Sequence, residues 1–379
     1  MSELITFDEL VNKINNPDEL KIMIDSDQFH PEIFYMKNDN GWTAFMIACQ
    51  YNHQSVQCIL DHDKFTPDMI NVFSDNKWTA FMIACKYNHQ SVQCILDHDK
   101  FTSDMIDVSD DDGWTPFMIA CQFNHQSVQC VLNHDKFTSD MLNFSYDGGW
   151  TAFMIACQCN HQSVECILNH CKFTSDMLNK KTTDGRTPLM IACQYNHQSV
   201  QCILNHDKFT ADMLNLKNNN GLTPLMIACK SMQNYDVIKK MIEKSCKNTL
   251  KRRCYRFNVF DVESNNPMKR YVTSVGQTFL HILAIFNPKI FCQIKNTIDL
   301  YLFNILDNSN LSSFQYLPID ENCSLKYKPS CPICFNDSHH TYAFNPCGHT
   351  ICNHCLNSYD KSICYVCRQS ISSKIKLYL

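Results

Sequence analysis

Between Phe45 and Leu60 two groups of apolar residues mark helical faces, Phe45, Met46, Ala48 and Cys49, then Val56, Ile59 and Leu60, with mostly polar residues between the groups. The first group has the i, i+1, i+3, i+4 spacing of one helical face, and the second that of a short amphipathic helix. Thr43 stands where it can cap the first helix. Proline follows the equivalent threonine at Pro116, Pro188 and Pro224, where a helix tolerates it. Asn52-His53 interrupts the pattern, so Ser55 or Gln54 is expected to open the second helix. The whole block then returns. Trp42, Trp78, Trp114, Trp150, Arg186 and Leu222 stand 36 residues apart, and nearly the same text follows each. A unit of two such short helices cannot bury its own apolar face, so successive copies must stack. The pattern predicts a mostly α solenoid of helix pairs.

Weaker copies extend the array. Met23-Ile24-Asp25 through Phe29 aligns one period before Ile59 to Phe65, which makes residues 6–41 a divergent capping unit. The unit from Gly221 runs through Val237, Ile238, Met241 and Ile242. Gly276 to Ala284 reads as one more degenerate copy, displaced because its spacing from Leu222 is 55 residues instead of 36. About eight units result. The text Gly-x-Thr-Pro-Leu-Met-Ile-Ala-Cys around Gly185 and Gly221, with a following His, Val and Ile-Leu, resembles the ankyrin repeat. It departs from that family in having Met where His is usual, Asn for the Gly before His53, and three extra residues per unit in the tract Asp63–Ile70. The near-identity of the central copies is similar in style to the expanded ankyrin families of giant DNA viruses of amoebae. The expected division is a capping repeat at 1–41, repeats of 36-residue period at 42–246 and a basic insertion at 247–275. A degenerate repeat at 276–299, a linker at 300–329 rich in Asn, Ser, Asp and Pro, and a cysteine-rich module at 330–379 complete it.

That last module carries the densest chemistry. Cys331 and Cys334, Cys347 and His349, Cys352 and Cys355, and Cys364 and Cys367 form four close pairs. Each pair can present two ligands to one tetrahedral ion from a tight turn. Two pairs complete a closed structural zinc site, so four imply two Zn²⁺. One His among seven Cys suits zinc better than a redox cluster. The C3HC4 order, with twelve residues between the second and third ligands and eight between the sixth and seventh, resembles the RING finger. The resemblance implies a cross-brace domain in which Cys331, Cys334, Cys352 and Cys355 hold zinc one and Cys347, His349, Cys364 and Cys367 hold zinc two. It further implies ubiquitin transfer from a conjugating enzyme, with Ile333, Tyr359 and Arg368 at the positions that contact the enzyme and ubiquitin. Tyr365 replaces the proline common between the last two ligands. The tail with Ile371, Ile375 and Tyr378 resembles that of inhibitor-of-apoptosis RINGs, which implies a homodimer through the tail and a ubiquitin contact at Tyr378.

Composition bears on the compartment. The chain has 379 residues, 24 Cys, 8 Gly and a formal net charge of −5. Met1-Ser2-Glu3-Leu4 has no basic and apolar leader pattern, and no apolar run is long enough to span a bilayer. Many cysteines without an export signal fit free or zinc-bound thiols in a reducing compartment. The expectation is an intracellular, cytoplasmic protein, in the host cytoplasm if viral, with a nuclear location left open by the basic residues Lys247, Lys251, Arg252, Arg253 and Arg256. No membrane partner is expected, and the acidic balance argues against nucleic acid.

Within the array, Cys49 and Cys58 recur every period without a zinc spacing and read as core residues. His53, His89, His125, His161 and His197 read as structural. Trp42, Trp78, Trp114 and Trp150, with Tyr51, Tyr87 and Phe123, match positions of the recognition surface in ankyrin arrays. An aromatic ladder there is what a protein-binding hot spot uses; equally, each Trp can pack on the next loop and stiffen the stack. The function expected is a RING-type ubiquitin ligase whose array recruits a protein substrate. The alternative is a non-catalytic adaptor.

Overall fold

The computed structural model describes residues 4–232, 234–245 and 279–294, and the strand segments 341–345, 350–352 and 373–377. Two compact units are present, residues 1–219 and 220–379.

In the first unit six helix pairs follow one another. Phe7–Lys13 and Pro17–Ile24 come first. Then leading helices Ala44–Tyr51, Ala80–Tyr87, Pro116–Phe123, Ala152–Cys159 and Pro188–Tyr195 alternate with trailing helices His53–Asp61, His89–Asp97, His125–Asn133, His161–Leu168 and His197–Asn205. From Ala44 onward, leading helices pack on leading helices and trailing on trailing. The leading face is buried: Phe45, Met46, Ala48 and Cys49, like their equivalents, are closed to solvent. Each buried Phe contributes about 2 kcal/mol of burial free energy.

Local chemistry sets the helix boundaries. Thr43 Oγ1 accepts from the Met46 N–H at 3.2 Å, while the Thr43 N–H points at Met46 Sδ at 3.4 Å. The methionine thus takes the returning half of a capping box with a weak sulfur acceptor. The trailing helix begins at His53 rather than at Gln54 or Ser55, because the residue that breaks the pattern is itself the cap. Asn52 Oδ1 accepts from the N–H groups of Gln54 at 3.0 Å and Ser55 at 3.4 Å. The same asparagine cap recurs at Asn88, Asn124, Asn160 and Asn196.

The tract that holds the three extra residues per repeat sends some of its side chains into the core, Phe65, Met69 and Ile70 in the first full repeat. The tract after the trailing helix forms a short helical segment, at Pro67–Ile70, Asp104–Asp107 and Ser139–Asn143, or a 3-10 turn, at Ser175–Leu178 and Ala211–Asn215. It carries a buried phenylalanine back under the leading helix. Phe65 meets Phe45 at 4.8 Å between ring centroids, Phe101 meets Phe81 at 5.3 Å, Phe137 meets Phe117 at 4.7 Å and Phe173 meets Phe153 at 4.8 Å.

The histidines that tie repeats together are not those at the start of the trailing helix but those just past its end. His62 Nδ1 accepts from the Lys64 N–H at 3.2 Å, which leaves the proton on Nε2, 3.1 Å from the Ile24 carbonyl of the preceding unit. His134 does the same with Lys136 at 3.3 Å and Leu96 at 3.1 Å. The lysines add a second tie: Lys136 Nζ donates to the Phe101 carbonyl at 2.6 Å and Lys208 Nζ to the Phe173 carbonyl at 2.9 Å. His53, His89 and His125 serve their neighbours through the backbone, where their carbonyls accept from the thiols of Cys94, Cys130 and Cys166.

In the second unit, Pro224–Ser231 and Tyr235–Lys244 form one pair, Phe279–Phe286 and Pro288–Ile294 another. Phe279–Phe286 packs against Pro224–Ser231, and the buried Asn287 amide donates to the Cys229 carbonyl between them. Strands β3 (Thr341–Asn345), β4 (Thr350–Cys352) and β5 (Ser373–Leu377) form an antiparallel sheet in the order β4-β3-β5. A smaller pair in the first unit, β1 (Ser145–Tyr146) with β2 (Trp150–Thr151), forms one repeat tip. No helix among the described residues is long and apolar enough to cross a membrane. The basic insertion 247–275 and the linker 300–329 lie outside the described residues.

Candidate functional site

Each repeat opens with a tight turn ahead of its leading helix. The first turn residue holds the tryptophan backbone: Trp42 N–H donates to Asn38 Oδ1 at 2.9 Å, Trp78 to Ser74 Oγ at 3.0 Å, Trp114 to Asp110 Oδ1 at 2.8 Å. Arg186 donates likewise to Thr182 Oγ1 at 3.0 Å. Sequence variation at these tips therefore keeps a side-chain acceptor wherever the turn needs one. At Tyr146, which has none at that distance, the β1–β2 pair closes the turn instead. The turns also need a left-handed residue, which is glycine at Gly41, Gly113, Gly149, Gly185 and Gly221 but Lys77 (φ 56°) in the second repeat.

Trp42, Trp78, Trp114 and Trp150 are half-buried at the foot of the leading helices. The last residues of those helices face solvent: Tyr51 is 63% exposed, Tyr87 45% and Phe123 48%. Tyr195, at 51%, belongs with them. What joins the two rows was not evident from the sequence. Lys86 Nζ lies 5.2 Å from the Trp78 ring, 4.7 Å from Tyr87 and 4.7 Å from Phe123 of the next repeat. Such cation–π contacts are worth roughly 0.5–1 kcal/mol each at exposed sites. The Arg186 guanidinium lies 5.5 Å from the Trp150 ring and donates to Gln194 Oε1 at 3.2 Å. Trp114 meets Tyr146 at 5.7 Å. The departure of Lys86, and of Lys230, from the glutamine of Gln50, Gln122, Gln158 and Gln194 was the signal in the text that marked this position.

The cysteine ladder offers no reactive thiolate. Burial pushes the thiols of Cys49, Cys85, Cys121 and Cys157 well above their ordinary range. Burial, with a hydrogen bond to Glu165, pushes Cys202 up to about 12. A thiol held protonated is a poor nucleophile and a poor metal ligand, and among the described residues no group of three or more potential metal ligands converges.

Of the module's candidate residues, Cys352 ends β4, where its backbone pairs with Thr341 of β3. Cys331, Cys334, Cys347, His349, Cys355, Cys364 and Cys367 lie outside the described residues, as do Ile333, Tyr359, Arg368 and Tyr378. The tail expected to mediate dimers contributes β5, which pairs along β3 of the same chain with Ile375 opposite Ala343. Seven thiol ligands and one imidazole are a donor set that fits zinc.

Two family models match the chain. The family model for ankyrin repeats matches residues 10–105, 102–177 and 163–252, and that for the C3HC4-type zinc finger, the RING finger, matches 327–374. Among solved structures, the ankyrin repeat domain of Bcl-3, described as a unique member of the IkappaB protein family, is similar at 16% identity and a TM-score of 0.44. The match covers 62% of this chain and 97% of that one. No curated protein matches the chain. A RING finger implies zinc binding, and ankyrin repeats imply a protein-interaction surface. With its repeats matched from residue 10 to residue 252, the chain belongs to the ankyrin-repeat family and carries a C3HC4 RING finger besides.

Proposed function

We propose that this protein is an E3 ubiquitin ligase in which the RING finger orients a ubiquitin-charged conjugating enzyme and the ankyrin array recruits the substrate. The reading rests on one observation: an ankyrin array and a C3HC4 module stand in one chain, matched at 10–252 and 327–374. The RING finger would fold around two Zn²⁺, held by Cys331, Cys334, Cys352 and Cys355 and by Cys347, His349, Cys364 and Cys367. Metal binding then supplies much of the folding free energy of so small a domain. With its thiolates committed to zinc, the module has no nucleophile. Its contribution is orientation, holding the conjugating enzyme's thioester where a substrate lysine can reach it. Ile333 and Tyr359 supply an apolar contact to that enzyme, Arg368 a forked donor bridging enzyme and ubiquitin, and Tyr378 a further ubiquitin contact, in a homodimer if the tails associate.

We place this activity inside a cell, in the cytoplasm, which is the host's if the chain is viral. A chain with 24 cysteines, six of them buried in the repeat core at Cys49, Cys85, Cys121, Cys157, Cys193 and Cys229, suits a reducing compartment.

The test is reconstitution with activating enzyme, a panel of conjugating enzymes and ubiquitin. Ubiquitin chains should form, and Ile333→Ala should remove them while zinc content stays unchanged. Failure with every conjugating enzyme would leave the adaptor reading, which Tyr365 favours because it replaces the proline that shapes the enzyme-binding surface in RING fingers.

A further inference from the structure

Three of the four tryptophans at the foot of the leading helices are covered by the chain's own residues. Lys86 lies over Trp78, Tyr146 against Trp114, and Arg186 over Trp150. Over Trp42, among the described residues, there is neither a cation nor a ring. One period before Tyr87 and Phe123 the chain has Tyr51 and Tyr87, 63% and 45% exposed, and the Tyr87 ring also carries Lys86 at 4.7 Å. Where Lys86 would stand there is Gln50, a neutral amide.

Charge points the same way. Residues 1–219 hold 28 Asp and Glu against 14 Lys and Arg, a formal net charge of −14. Asp39, in the turn that ends at Trp42, and Asp75, in the next turn, are both exposed, and no ion pair holds either among the described residues. The net negative charge of the unit draws a cation toward its aromatic faces, although Lys37 and Lys77 stand in the same two turns.

We infer that Trp42 and Tyr51, with Tyr87 beside them already bearing Lys86, form a receptor for a lysine or arginine side chain of a partner protein, the place that Lys86 fills by itself one repeat later. The inference rests on reading the array as the surface that recruits protein. Lys86 shows that three rings in this arrangement hold an ammonium group, and Arg186 shows that a guanidinium also stacks on the equivalent tryptophan. The partner segment is therefore basic and exposed, with at least one cationic side chain free to enter.

Fluorescein-labelled hexalysine, titrated by anisotropy into the full-length zinc-loaded protein, tests it, with hexaglutamate and hexanorleucine as controls. Hexalysine alone should bind. Gln50→Lys fills the receptor from within and should weaken binding about fivefold, whereas Gln54→Lys, the same charge on an exposed neighbouring position, should weaken it less than about twofold. Lys86→Gln opens a second receptor and should tighten binding. Unchanged melting of each variant shows that the fold is kept, and Trp42→Phe should lose part of the affinity as a milder check. Equal losses from Gln50→Lys and Gln54→Lys would reduce the effect to net charge and overturn the inference, as would no binding of hexalysine. Binding that appears only when Lys251, Arg252 and Arg253 are replaced by alanine would assign the receptor to this chain's own basic run and overturn it too. Ubiquitin-chain formation by the same preparation reports separately on the ligase: chains without hexalysine binding sink only the receptor, and binding without chains sinks only the ligase.

Discussion

His134 Nε2 lies 3.1 Å from the carbonyl of Leu96, a residue 38 positions earlier and one repeat away. Because Nδ1 is occupied by the Lys136 N–H at 3.3 Å, the ring is fixed as a donor to that carbonyl. His134→Ala should therefore destabilise the array by about 1–3 kcal/mol, since it leaves a carbonyl at a repeat junction without its partner. His125→Ala, at the start of the same trailing helix, should stay within about 0.5 kcal/mol. Urea midpoints of the two variants decide between the two histidine sets.

Acid should loosen the array at His170, the equivalent of His134 one repeat later. Burial first, then the neighbouring Lys172, holds the His170 imidazole below its ordinary 6.5. The folded protein then binds this proton less readily than the unfolded chain, so stability is full above the unfolded value. It falls as pH drops from about 6.5 toward the lower folded value. Stability compared at pH 7.5 and 5.5 should show the loss, and His170→Gln should reduce it.

Lys77 occupies a left-handed position (φ 56°) that is glycine in the other repeats. A non-glycine residue there costs about 1–2 kcal/mol, partly offset by the entropy glycine loses on folding. Lys77→Gly should raise stability by about 1 kcal/mol even though it removes the exposed 2.8 Å pair with Asp111, which contributes little. Gly185→Ala should do the opposite, because the added Cβ would stand 2.6 Å from Asn219 Oδ1 and 2.9 Å from its backbone nitrogen. Thermal melts read both.

Ser55, in the first trailing helix, donates its hydroxyl to the Ile14 carbonyl. Its equivalents Ser91, Ser127, Ser163 and Ser199 are buried with no hydrogen-bond partner for the hydroxyl. Ser127→Ala should stabilise by about 1 kcal/mol by removing a desolvated polar group, while Ser55→Ala should cost about 1 kcal/mol. Opposite signs from one substitution at equivalent sites are the outcome to look for in denaturant unfolding.

Zinc removal should act on one part of the chain only. A chelator should unfold the RING finger and leave the melting of the array unchanged, because the array's thiols are held protonated by burial. Helical circular dichroism through the melt, with zinc measured by native mass spectrometry, checks this. Loss of the array's transition on chelation would show metal within the repeats.

The sequence by itself determined the period, the helix pairs, the threonine caps at Thr43 and its equivalents, and the C3HC4 register from Cys331 to Cys367. All of these depend on residues a few positions apart, where spacing along the chain is nearly spacing in space. Asn52 shows the edge of that legibility: the interruption was visible, yet its role as the cap that moves the helix start to His53 lay in two hydrogen bonds. The tertiary structure alone decided what faces what across a repeat junction. That His134 and not His125 spans it, that Phe65 returns beneath Phe45, and that Lys86 sits between Trp78 and Phe123 are contacts between residues 8 to 38 positions apart. Stacking sets those distances, and in near-identical copies the same letter takes a different partner wherever one neighbour changes. Trp42 and Trp78 read alike in the text; only the cation brought by Lys86 separates a filled receptor from an open one.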